Sequence, residues 1–128
     1  MPYGAFLAAV RERGGYSPDE ADMATRAVLT ALGTRLTPDS AGHLADQLPE
    51  PLADMINDAE AAARDWGART FVTHVAEAIG EDEESAEAAT RAVLSTLAER
   101  IGRGERDALL ARLPAEYAGL FGHPELAG

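Results

Sequence analysis

Two acid and arginine pairs have the residue types and spacing for chemistry: Asp22 with Arg26, and Glu87 with Arg91. In each, the acid precedes the arginine by four residues, the favourable order for an ion pair on one helix face. Left exposed, such a pair is worth roughly 0.3–0.5 kcal/mol. Turned toward a neighbouring element, the same guanidinium would hold a carboxylate or a backbone carbonyl. Both arginines follow a threonine within an otherwise apolar run, which makes all four residues candidates for the interface between the two repeats.

The remaining polar groups point to structure rather than catalysis. Glu81-Asp82-Glu83-Glu84 has neither the alternating ligand spacing nor the central glycine of a calcium loop. It lies where a helix should begin, and the helix dipole favours negative charge there by about 0.3–1 kcal/mol. Capping is its expected role. His43, His74 and His123 are too dispersed for a zinc motif. His74 falls between the inward positions Phe71 and Val75, so it belongs to a helix flank or groove. A serine nucleophile elbow, a phosphate-binding glycine loop and a dinucleotide fingerprint are all missing from the sequence. The chain is therefore read as a non-enzyme, with no metal or cofactor expected. Trp66, the single tryptophan, is expected as a wedge between packed units. Exposed, it would instead be the first place to look for a partner.

A plan stated twice positions these side chains. Phe6, Val10, Gly15, Ala24-Thr25-Arg26-Ala27-Val28-Leu29, Leu32, Arg35, Leu48 and Pro49 recur, without a gap, 65 residues later. The second copy reads Phe71, Val75, Gly80, Ala89-Thr90-Arg91-Ala92-Val93-Leu94, Leu97, Arg100, Leu113 and Pro114. Such a recurrence marks a tandem repeat of one helical unit. The first helix spans Tyr3 to Arg13 and stops at Gly14-Gly15. Ser17-Pro18-Asp19-Glu20 opens a long helix with a capping box and runs to about Leu36. Its inward stripe is Ala21, Ala24, Val28, Leu32 and Leu36, and its alanine-rich end should make the tightest helix contact. Thr37-Pro38-Asp39 starts a shorter helix that stops at Pro49.

From Leu52 through Met55, Ile56, Ala59, Ala62, Ala63 and Trp66 the helical spacing continues, which predicts a helical connector over about 57–67. The second unit repeats the order, with a long helix from about Glu83 to Ile101 and inward Ala86, Ala89, Val93, Leu97 and Ile101. A shorter helix with Leu109, Leu110 and Leu113 begins at the weakly capped Gly102-Arg103-Gly104. A last turn carries Tyr117, Leu120 and Phe121, and Gly122-His123-Pro124 is expected to end the ordered fold. The chain thus reads as one domain over 1–128, with repeats at about 3–56 and 68–121.

Composition bounds the function. Each half alone would bury only roughly 60% of its unfolded surface, so the halves are expected to share a core. The formal charge is −11 and all 11 basic side chains are arginine, scattered along the chain. Such a balance opposes direct nucleic-acid binding, which needs clustered cations to displace counterions. The chain has no cysteine, which is compatible with a reducing cytoplasm. The longest apolar stretch falls far short of the roughly 20 residues of a membrane span, and no basic segment leads into an apolar core at the N-terminus. A cytoplasmic protein without membrane contact is expected.

The doubled Phe-x-x-x-Val opening, Ala-Thr-Arg-Ala-Val-Leu core and Leu-Pro close resemble the bacterial domain of unknown function 2267. The resemblance runs from about Phe6 to Phe121. It implies an all-helical, two-repeat domain and no particular reaction. The fold expected is all-α: two similar units of three to four helices around a shared core, related by an approximate two-fold or a stacking step. The leading function is a protein-interaction or self-association module, which small helical repeats commonly are. Its candidate surface includes Leu29 and Leu94, unless these join the core. The alternative is a small-molecule pocket between the repeats, lined by Phe71, His74 and Arg26 or Arg91.

Overall fold

The computed structural model describes residues 2–60 and 65–127. Among the described residues the chain forms eight α-helices, no strand and a terminal 3-10 turn. The helices are α1 (Tyr3–Gly14), α2 (Pro18–Arg35), α3 (Pro38–Ala45) and α4 (Glu50–Asn57), followed by α5 (Ala68–Ile79), α6 (Glu83–Arg100), α7 (Arg103–Ala111) and α8 (Tyr117–Leu120). The starts of α1, α2 and α3 recur 65 residues on in α5, α6 and α7. None of the described helices is long and apolar enough to cross a membrane.

Local chemistry sets these boundaries as the sequence predicts. Ser17 forms a full capping box with Glu20, and Thr37 caps α3 through the amide of Ser40. In the acidic run, the Asp82 side chain accepts from the Ser85 amide at 2.8 Å, while Glu83 and Glu84 fill the first turn of α6. That bond holds the Asp82 carboxyl below its usual range. Gly15 and Gly80 end α1 and α5 with φ of 68° and 69°, a left-handed conformation that glycine adopts without steric penalty. Gly102 gives α7 no side-chain cap.

The two long helices are central. α1 packs on α2 and also on α6, while α5 packs on α6 and also on α2. The halves therefore share one core. Every predicted inward residue of both long helices is buried, with Phe6, Val10, Phe71 and Val75. Leu29 and Leu94 are fully buried too, which removes them from the candidate surface. Helices covered on several sides bury a wider face than a single amphipathic stripe marks. A close helix-to-helix approach marked by a glycine lies at the far end of α2 from its alanine-rich start. A Cβ on Gly33 would stand 2.6 Å from the Ile56 carbonyl oxygen of α4.

The connector differs from expectation. α4 stops at Asn57, residues 58–60 and 65–67 are not helical, and Ala62 and Ala63 lie outside the described residues. In a continuous helix the Trp66 carbonyl would accept from an amide four residues on. Instead it accepts from Arg35 Nε at 2.9 Å and from the Tyr117 hydroxyl at 2.8 Å. Apolar spacing alone does not register such side-chain competition for a carbonyl. Order also continues past Gly122-His123-Pro124 into the 3-10 turn Pro124–Ala127.

Candidate functional site

The predicted polar pairs form, but they do not share a role. Arg26 Nε meets Asp22 Oδ2 at 2.8 Å, and Asp22 also accepts from the Tyr3 hydroxyl of α1. The Tyr3 hydroxyl first and Arg26 second hold the Asp22 carboxyl below its ordinary range. Burial, and then the bond to Asp22, pushes the Tyr3 phenol up. This triad ties α1 to α2. Residue 65 positions after Tyr3 is Ala68, so the second half has no matching phenol. There Arg91 reaches Glu87 at 3.4 Å and the Gly119 carbonyl of α8 at 3.3 Å. Arg26 and Arg91 are both largely exposed, and each braces its own half.

Trp66 belongs to a different cluster. Its carbonyl is clamped by Arg35 and Tyr117, and the Arg35 guanidinium lies 5.8 Å from the centre of the Tyr117 ring. Burial pushes the Tyr117 phenol up, with Arg35 opposing. Beneath them Phe71 meets Tyr117 edge to face at 5.6 Å. Phe71 is fully buried, a core residue rather than a pocket wall. With its backbone anchored, the indole stacks on the exposed His74 ring at 3.9 Å between centroids and 19° between planes.

That stack closes one end of a groove between α2 and α5, floored by Ala27, Ala31 and Ala78 and edged by Arg26 and Thr34. Met23 stands at the other end. It is the large hydrophobic side chain described as exposed, at 54%, and it also borders the adjoining depression beside Tyr16 and Ile79. Measured along α2 from Met23 to Thr34, the seam is about 16 Å long at 1.5 Å per residue.

The corresponding seam between α1 and α6 is shut. Sixty-five residues separate Ala31 from Thr96, Thr34 from Glu99 and Arg13 from Ala78. Arg13 of α1 reaches across α6, donating to Thr96 Oγ1 at 2.9 Å and pairing with Glu99. Where α5 presents Ala78, α1 thus presents a guanidinium that bridges to α6. His74 and Met23 have only Ala9 and Ala88 as counterparts.

Sequence reasoning gave His74 a helix flank or groove position and picked out Trp66, but missed Met23, Arg35, Tyr117 and Arg13. Arg35 was visible as a repeated residue; nothing in the sequence announced its reach to Trp66. A second cleft, between α3 and α7, is spanned by polar bonds: Glu105 accepts from Gln47 and meets His43 at 2.8 Å. Its polar groups are occupied in holding two helices together.

A search of curated proteins finds no match to this chain. A family model described as "Uncharacterized conserved protein (DUF2267)" matches residues 3–120, nearly the whole chain, and the doubled motifs lie within that span. The protein belongs to the DUF2267 family.

Proposed function

We propose that the protein is a non-catalytic interaction module of the cytoplasm and that the α2/α5 seam is its binding face. The observation that carries this reading is the contrast between the seams: Arg13 closes one, whereas the other keeps Met23, Trp66 and His74 at an apolar groove. Exposed methionine and anchored aromatic groups are favoured where a surface receives another protein. Arg35 and Tyr117 support the role by fixing Trp66 from behind, so that little conformational freedom is lost on binding. The small-molecule alternative has weaker support, because the Phe71 it needs is sealed in the core.

Capture from the native host tests this reading with wild-type protein and Ala78→Arg, which places a long cation over the groove at an exposed position. A partner retained by the wild type and lost from the variant is expected. A partner retained equally by both, or a bare monomer in light scattering from both preparations, overturns it.

A further inference from the structure

We infer that the occupant of the α2/α5 seam is a basic amphipathic helix from a partner protein, an inference that rests on the interaction-module reading. The seam's dimensions and chemistry fit a helix. Its floor is made of alanines, which let a second helix axis approach closely, and its length of about 16 Å corresponds to about three helical turns. Met23 at one end and the Trp66 and His74 stack at the other would flank the apolar stripe of such a helix.

Charge selects the sign of the partner. The exposed carboxylates Glu20 and Glu81 border the Met23 end, and Glu77 lies on α5 next to Ala78. Among the described residues three cations of this region are tied back by partners, and only Arg26 is paired with an acid. Arg26 is held by Asp22, Arg35 by the Trp66 carbonyl, and Arg11 donates to the Tyr16 carbonyl at 3.3 Å. An apolar floor with a negative rim attracts a helix whose polar face is lysine and arginine. The same rim, on a chain of charge −11, opposes a second copy in this seam, because like charges would face one another.

The chain supplies its own blocking variant. Ala31→Thr, Thr34→Glu and Ala78→Arg together transplant the residues that shut the α1/α6 seam. The added charges cancel, so net electrostatics is unchanged. The probe is a tryptophan-free peptide of about 18 residues, with leucines at helical i, i+3, i+4 and i+7 spacing and arginine and lysine on the opposite face. Trp66, the single tryptophan, reports binding through its fluorescence.

Saturable one-to-one binding is expected, weakening at least about tenfold between low and high salt as the rim charges are screened. A peptide with the same leucines and a glutamate face should bind at least about tenfold more weakly. The triple variant should lose at least about tenfold in affinity at unchanged helicity. Met23→Ser, at an exposed site, should lose about fivefold and serves if the triple variant does not fold. Equal binding of the basic and glutamate peptides would overturn the basic occupant while leaving the interaction-module reading intact. Binding of the basic peptide undiminished by both the triple variant and Met23→Ser would remove it from this seam. A wild-type dimer that dissociates in the triple variant would assign the seam to a second copy.

Discussion

The α2/α5 and α1/α6 seams are framed by helices whose starts recur 65 residues apart, yet one is open and the other shut. Their deep layers are alike: Phe6 and Phe71 are both fully buried, as are Leu32 and Leu97. Their outer layers are not. Arg13, Thr96 and Glu99 bridge one seam, while among the described residues Ala78, Ala31 and Thr34 make no such bridge across the other. Side-chain length and polarity at a few positions thus determine whether the helix pair is cross-braced.

If the deep layers are equivalent, matched truncations should have matched costs. Phe6→Ala and Phe71→Ala should each destabilise by about 3–5 kcal/mol in urea denaturation. Costs that differ by more than about 2 kcal/mol would break the equivalence of the cores. A second comparison should be unequal. Arg35→Ala removes the donor to Trp66 and should lose about 2 kcal/mol, with a shift in tryptophan emission. Arg100→Ala, at the exposed counterpart, should stay within about 0.5 kcal/mol.

The paired threonines sharpen the contrast at smaller scale. Thr90 donates to the Ala86 carbonyl at 2.7 Å, whereas the buried Thr25 hydroxyl has no partner among the described residues. Thr90→Val should destabilise by about 1 kcal/mol, and Thr25→Val should stabilise by a similar amount because it removes an unsatisfied buried group. Differential scanning calorimetry distinguishes the two signs.

The smallest expected effect is the pH dependence of the Tyr3 and Asp22 bond. Asp22 has a depressed folded value, so its contribution is present above about pH 4 and lost as pH falls through that value. Tyr3 has a raised folded value, so its contribution is complete below about pH 10 and lost as pH rises through that value. Tyr3→Phe should reduce both losses and lower mid-range stability by about 1 kcal/mol, a figure already discounted for partial exposure. Glu87→Gln in the other half should change stability by less than about 0.5 kcal/mol. Urea titrations at acid, neutral and alkaline pH compare the two.

Much of the fold was legible because helix ends are governed by local chemistry. Ser17 with Glu20, Thr37 with Pro38, and the glycines at 15 and 80 act within a few residues of themselves. The core was legible from the stripe, although Leu29 and Leu94 required knowledge of which faces the neighbouring helices cover. The connector keeps an apolar period from Ala59 to Trp66, but residues 58–60 and 65–67 are not helical, and the Trp66 carbonyl is taken by Arg35 and Tyr117, 31 and 51 residues away. The open seam was least legible. It depends on Ala78 lacking the reach of Arg13, a difference that acquires meaning only when α2 lies beside α5 and α1 beside α6.

The most direct test is the hydrogen-exchange footprint of the complex captured from the native host. Slowed exchange is expected in the segments Met23 to Thr34 and Trp66 to Ala78, with α1 and the facing part of α6 unchanged. Protection confined to α1 and α6, with the α2/α5 segments exchanging as in the free protein, would contradict the assignment of the open seam as the binding face.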